Sequence, residues 1–239
     1  MIPKKVNYIW LGGNEKPANF LICKKSWDKY LKTEDGWEIK EWTEENLPMG
    51  DLPEYFHKAV REKKWAFASD VARTYILLKE GGIYLDTDIL LYKSLDDMLR
   101  HEFFAGHEEE NSINGAIFGA VKNNFILKEM AEYYQNNTEI RAIPLIMTEI
   151  LIRLKSEGKL SDLIYIAPVS VFYSYPMNRP GDPLRWVAPK DAIGIHLWDY
   201  SWQSETKKNL SKLPGFQIIK NILKSLGLLK IIKKILRQI

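Results

Sequence analysis

Apolar positions along the 239-residue chain recur at two spacings, every second residue and every third or fourth, and the changes between them delimit elements. Val6-Asn7-Tyr8-Ile9-Trp10, closed by Gly12-Gly13, predicts a first strand running into a glycine loop. Residues 18–32 predict a helix. Trp37, Ile39 and Glu41 alternate with Glu38, Lys40 and Trp42, which predicts a second strand. Thr43 ahead of Glu44-Glu45 predicts a capped turn, and residues 53–62 a further helix. Farther on, Ser94 predicts a cap for a short helix carrying Asp96 and Asp97. Phe103-Phe104-Ala105-Gly106 and Asn114 to Val121 predict strands, and residues 125–135 and 145–155 predict helices. This alternation predicts an α/β fold with a parallel, helix-covered sheet, in which ligands bind at the carboxyl ends of the strands.

Residues 68–92, ASDVARTYILLKEGGIYLDTDILLY, organise the rest. Phe67, Val71, Tyr75 and Leu78 recur at helical spacing with Ala68, Ala72 and Ile76 beside them, so one side of this helix is expected to face a core. Gly81 is expected to stop it in the left-handed conformation, and Gly82 to turn closely into a strand, Ile83 to Leu85, too apolar for an edge. Asp86 and Asp88 end that strand. On an extended chain they project to one side, and carboxylates so placed repel each other unless a cation lies between them. A hard divalent ion whose shell is completed by phosphate oxygens fits; a pair of ordinary turn residues is the alternative. Asp70 and Arg73, three apart, share a helix face outside the apolar stripe, either as functional groups or as a surface ion pair.

Composition bounds the picture. Hydrophobic residues make up 46% of the chain and charged residues 27%, as in a soluble protein with one main core. A lone cysteine, Cys23, excludes an internal disulfide and favours a reducing cytosol. The opening MIPKKVNYIW has no long apolar run, so neither a signal peptide nor an N-terminal anchor is expected. Charge is divided unevenly. Residues 206–239 hold nine Lys/Arg and no acid, whereas the first 205 residues hold 25 basic and 31 acidic side chains. Two parts follow: a domain over residues 1–205 and a tail over 206–239. In the tail Leu228, Ile231, Ile232, Ile235 and Ile239 oppose Lys230, Lys233, Lys234 and Arg237, which predicts a basic amphipathic helix. Lysines interrupt every apolar run, so it does not span a bilayer. It is expected to lie on an anionic membrane through residues 214–239, with docking on the body or a partner as the alternative. Its Ile/Leu face argues against nucleic acid.

Two further stretches carry candidate chemistry. His107-Glu108-Glu109-Glu110 reads as a solvated acidic loop, because consecutive carboxylates cannot all face one ion. Asn114-Gly115 reads as a turn. In Gly194-Ile195-His196-Leu197-Trp198-Asp199-Tyr200-Ser201-Trp202 a histidine sits among aromatic and hydroxyl side chains.

Ser69-Asp70, Arg73, Gly81-Gly82, Tyr84, Asp86 and Asp88 together resemble the signature of the D-x-D sugar transferases, glycosyltransferase family 32, which includes yeast mannosyltransferases and bacterial capsule and lipooligosaccharide enzymes and is related to clostridial toxin glucosyltransferase domains. The resemblance extends over roughly residues 3–203. It implies a GT-A type fold, a Rossmann-like nucleotide-binding domain with a mixed, mainly parallel central sheet flanked by helices. It implies that Trp10 stacks on the nucleotide base, with Asn7 where the family usually has histidine. By the same resemblance Asn114 contacts the donor sugar, and Ile164 to Pro168 and Val171 to Pro176 are the late strand and aromatic loop. Ile143 replaces a glycine of the family, which argues against close backbone approach there. His196 is expected as the third metal ligand after Asp86 and Asp88, and Ser201 and Trp202 as parts of a lid that excludes water. Tyr84 is expected to pack behind the site.

The activity so implied is metal-dependent, retaining transfer of a hexose from a nucleotide-diphosphate sugar, a UDP-sugar by way of Trp10, to an oligosaccharide or lipid-linked glycan acceptor. Its setting would be bacterial surface polysaccharide synthesis at the cytoplasmic face of the cell membrane. Mn2+ is the expected ion, with Mg2+ as the alternative; Asp70 and Arg73 are expected to hold sugar hydroxyls. No residue is an obvious covalent nucleophile, so attack on the face the nucleotide leaves is expected. The rival of another class is a non-catalytic scaffold in an envelope complex.

Overall fold

The computed structural model describes residues 1–177 and 185–199; the expected lid residues Ser201 and Trp202, the boundary at residue 205 and the tail 206–239 lie outside these described residues. In chain order the elements are β1 (Lys5–Ile9), α1 (Ala18–Tyr30), β2 (Glu38–Trp42), α2 (Glu54–Arg61), α3 (Trp65–Glu80), β3 (Gly82–Leu85), β4 (Ile89–Leu91), β5 (Phe103–Glu109), β6 (Ser112–Ala120), α4 (Phe125–Asn136), α5 (Ile143–Ser156), β7 (Ile164–Ala167), α6 (Val169–Phe172) and β8 (Gly194–His196).

Six strands form one sheet in the order β2-β1-β3-β6-β5-β7, and β4 pairs with β8 in a separate antiparallel ribbon. The pairs β1–β2, β1–β3 and β5–β7 are parallel, whereas β6 runs antiparallel to both β3 and β5. The sheet is therefore mixed and mainly parallel. β3, buried along its whole length, lies between β1 and β6, as its apolar composition predicts.

Strand alternation sorts the core into two clusters. Ile9, Tyr84, Phe103, Ala105 and Phe118 pack with α2, α3, α4 and α5 on one face, while Val6, Tyr8, Ile83, Leu85, Phe104 and Ile117 pack with residues of α1, α6 and the β4–β8 ribbon on the other. Cys23 and Trp27 of α1 are fully buried, the latter donating its indole N–H to the Ile89 carbonyl at 2.7 Å. Gly82 is demanded by packing. It has φ +105°, and a Cβ there would stand 2.6 Å from the Lys5 carbonyl oxygen on β1.

Three local expectations are corrected. α3 is buried around most of its circumference, with Ala68, Val71, Ala72, Thr74 and Leu77 fully buried and Phe67, Tyr75 and Leu78 only partly so. A helix wedged between a sheet and two other helices has no single apolar stripe. Gly81 ends it at φ 71°, ψ −172°, a positive φ outside the left-handed helical region. Residues 107–109 are not loop but the end of β5, and Asn114 lies inside β6 rather than in a turn. Backbone pairing of the two strands overrides the polarity of these residues.

Candidate active site

A cavity of about 620 Å³ opens at the carboxyl ends of β1 and β3 and is lined by Trp10, Trp65, Asp70, Arg73, Tyr84, Asp86, Asp88, Glu108, Asn114, Ile143 and His196 among others. Its floor is built by local sequence. α3 carries Asp70 and Arg73 one turn apart, and the glycine break returns the chain through β3 so that Tyr84 faces α3 while Asp86 leaves the sheet edge. The Tyr84 hydroxyl donates to Asp86 Oδ1 at 2.8 Å and lies 3.1 Å from Ser69 Oγ. Tyr84 is thus buried at the floor of the cavity and holds Asp86 in place.

Arg73 is the hub of this floor. Its guanidinium lies 3.1 Å from Asp70 Oδ1 and 3.0 Å from Asp86 Oδ1, donates to the Gly115 carbonyl at 2.6 Å and stacks over the Tyr84 ring at 4.1 Å. Burial pushes the Asp70 carboxyl up to about 7, with the Asp86 charge adding to the effect and Arg73 opposing it. Asp70 Oδ2 also accepts from the Ile143 backbone N–H at 3.3 Å. The first N–H of α5 is thus spent on Asp70, a carboxylate at the helix N-terminus.

Asp86 and Asp88 converge by a different route from the expected one. The chain does not stay extended: the Ile89 N–H bonds back to the Asp86 carbonyl at 3.1 Å, closing a turn between β3 and β4. This turn, rather than strand alternation, brings the carboxylates together. β4 then pairs with β8, in register Ile89 to His196, which carries His196 to Asp88. His196 Nε2 lies 3.2 Å from Asp88 Oδ1, and the Asp199 backbone N–H donates to Asp88 Oδ2 at 2.7 Å.

One ligand atom each from Asp86, Asp88 and His196 fall within 4.8 Å of one another. Two opposed metal–oxygen bonds span about 4–5 Å, so two carboxylates and an imidazole at this spacing fit a hard or borderline divalent ion. Burial works against charge on both Asp88 and His196, yet their mutual attraction holds the Asp88 carboxyl below its ordinary range and raises the His196 imidazole. Trp198 contacts the imidazole with ring centroids 4.2 Å apart, and its indole N–H donates to the Tyr175 carbonyl at 2.8 Å. Its backbone is in the positive-φ region, at 56°. For a bulky residue this conformation is costly, and here it turns the chain back so that Asp199 reaches Asp88.

The other expected residues divide. Trp10 lines the cavity, half-buried, with its indole N–H donated to the Asn14 carbonyl at 2.8 Å. Asn7, by contrast, is fully buried and accepts from the Trp42 indole at 2.9 Å, a packing role beneath β1. Asn114 lines the cavity and is tied to Glu108. Glu108 was hidden in the sequence by its acidic neighbours. Alternation along β5 was the available signal: it separates Glu108 from His107 and Glu109.

Residues 17–105 match the model of a family described as the glycosyltransferase sugar-binding region containing a DXD motif. This match covers the part of the chain that carries Asp70, Arg73, Asp86 and Asp88, and in it the chain resembles the DXD glycosyltransferases. The chain is 34% identical over 108 residues to an uncharacterized glycosyltransferase of Acanthamoeba polyphaga mimivirus, covering 44% of this chain and 42% of that one. It is 27% identical over 131 residues to inositol phosphoceramide mannosyltransferase 3 of Schizosaccharomyces pombe, covering 53% and 36%. The chain thus spans less than half the length of these relatives. In fold it resembles the solved PaToxG glycosyltransferase, with a TM-score of 0.53 and 20% identity over 68% of this chain and 72% of that one. The fold class is that of the GT-A glycosyltransferases.

Proposed function

We propose that the protein is a metal-dependent, retaining glycosyltransferase that moves a hexose from a nucleotide-diphosphate sugar, a UDP-sugar, to a glycan acceptor. The observation that carries this reading is the meeting of Asp86, Asp88 and His196 in the cavity that also contains the Asp70–Arg73 pair. Asp86, Asp88 and His196 would hold the ion, Mn2+ in the first instance. When bound, it neutralises the diphosphate and so stabilises the leaving nucleotide.

The protein's own groups do the rest. Asp70, at about 7, is poised between an acceptor and a donor of hydrogen bonds toward sugar hydroxyls. Arg73, fixed by Asp70, Asp86 and the Gly115 carbonyl, keeps the Asp86 carboxylate aimed at the ion. Trp10 offers a surface for the base. In the transfer, the acceptor oxygen bonds to the anomeric carbon on the face from which the diphosphate departs with the bonding pair, and the acceptor proton passes to a departing phosphate oxygen. Glu108 is not presented as a free nucleophile, since Ser112 and Asn114 each donate to one of its oxygens at 2.6 Å. The basic, acid-free stretch 206–239 supports a lipid-linked acceptor at the cytoplasmic face of an anionic membrane, and bacterial surface polysaccharide synthesis is the setting we propose. Among the described residues no helix is long and apolar enough to cross a membrane.

The test is a panel of UDP- and GDP-sugars incubated with the protein and Mn2+, with release of nucleoside diphosphate as the readout. One donor is expected to turn over and Asp88→Ala to abolish that turnover. A folded, Mn2+-binding protein that turns over no donor, with or without acceptor glycans, would favour the scaffold reading instead.

A further inference from the structure

Glu108 enters the cavity from β5, a different wall from the β3–β4 turn that carries the metal-site carboxylates. Its Oε1 accepts from Ser112 Oγ and its Oε2 from Asn114 Nδ2, both at 2.6 Å. Asn114 Oδ1 in turn accepts the Ala116 backbone N–H at 2.7 Å. That bond fixes which way the amide faces, so Nδ2 gives one hydrogen to Glu108 and keeps one for a ligand. Each Glu108 oxygen likewise keeps lone-pair capacity beyond the bond it accepts. An anionic acceptor and an amide donor therefore stand side by side, the complement of adjacent sugar hydroxyls.

The charges differ in their partners. Asp70 and Asp86 share the Arg73 guanidinium, and Asp88 lies against His196. Glu108 has only neutral donors among the described residues. We propose that Glu108 is a specificity-determining residue that selects an uncharged, hydroxyl-bearing sugar and rejects one carrying a carboxylate. Hydroxyls on the sugar gain charge-assisted hydrogen bonds there, whereas a uronate meets a like charge that no cation among the described residues approaches to ion-pair distance. The inference rests on the nucleotide-sugar reading of the site.

The test is calorimetric binding in Mn2+ of UDP, UDP-glucose and UDP-glucuronate, and of GDP, GDP-mannose and GDP-mannuronate, to wild type and to Glu108→Gln. Glutamine preserves the network, since its carbonyl can accept from Asn114 and its amide can donate to Ser112 Oγ. Wild type is expected to prefer the neutral sugar by at least about tenfold over its uronate, and Glu108→Gln to narrow that ratio roughly tenfold. Affinity for the nucleoside diphosphate alone should not change. Ser112→Ala, which leaves the carboxylate in place, should retain the preference; a purely structural role for Glu108 would let Ser112→Ala erode it and Glu108→Gln spare it. A ratio equal in wild type and Glu108→Gln overturns the inference while leaving the nucleotide-sugar reading intact. Failure of wild type to bind any of the six probes overturns both.

Discussion

The Asp88 carboxylate meets one distant segment twice: His196 Nε2 lies 3.2 Å from Oδ1, and the Asp199 backbone N–H donates to Oδ2 at 2.7 Å. These contacts exist because β4 pairs with β8 and because Trp198, two residues after His196 and just before Asp199, adopts a positive φ. The second half of the candidate metal site is thus supplied by tertiary pairing.

Removing His196 should therefore weaken metal binding and spare the fold. For His196→Ala we expect Mn2+ affinity, measured by titration calorimetry, to fall by roughly 10–100-fold or more, the range that loss of even supporting groups produces at metal sites. Trp198→Ala should give a smaller loss in the same direction, since it removes only the ring that seats the imidazole. Unaltered Mn2+ affinity in both variants would remove His196 from the ligand set.

The raised His196 imidazole gives a pH dependence of definite sign. In metal-free protein the protonated His196–Asp88 pair contributes stability fully present below the unfolded value of about 6.5 and lost as pH rises through the raised folded value. Metal binding requires the neutral ring, so Mn2+ affinity should rise over the same interval. Thermal unfolding across pH 5.5 to 8.5 should show the metal-free Tm falling and the Mn2+-induced increment growing. A pH-independent increment would contradict the assignment.

Arg73 and Asp70 should respond unequally to neutralisation. Arg73→Met leaves the Asp86 and Asp70 carboxyls without their shared cation and the Gly115 carbonyl without a donor, at a cost of about 3–5 kcal/mol. Asp70→Asn replaces a carboxyl already pushed up to about 7, so near pH 6 its cost in urea unfolding should be small, roughly 1 kcal/mol. It should nevertheless depress transfer, because the carboxyl lines the sugar cavity. Equal destabilisation by both variants would mean that Asp70 is ionised in the folded protein.

The tail makes a separate prediction. Deleting residues 214–239 removes most of the surplus positive charge and should release the protein from vesicles containing about one-third anionic lipid, an attachment that high salt should also weaken. Transfer to a soluble acceptor should persist. Unchanged co-sedimentation of the truncated protein would exclude the membrane role.

What the sequence determined by itself is the part of the site that is local in the chain. Asp70, Arg73, Tyr84, Asp86 and Asp88 lie on one helix, one glycine break and one short strand. Helical spacing sets Asp70 beside Arg73, and a separation of two residues keeps Asp86 close to Asp88, although a turn and not the strand period brings their carboxylates together. The order of elements was legible for the same reason, since periodicity and glycine breaks are properties of neighbouring residues. What only the tertiary structure decided are relations between segments. The β4–β8 pairing that delivers His196, the approach of the α5 backbone to Asp70, and the β5–β6 pairing that turns an acidic run into a strand with Glu108 in the cavity are all of this kind. Each depends on backbone hydrogen bonds or N–H groups meeting partners far away in the chain, and no local preference of the residues involved encodes that choice.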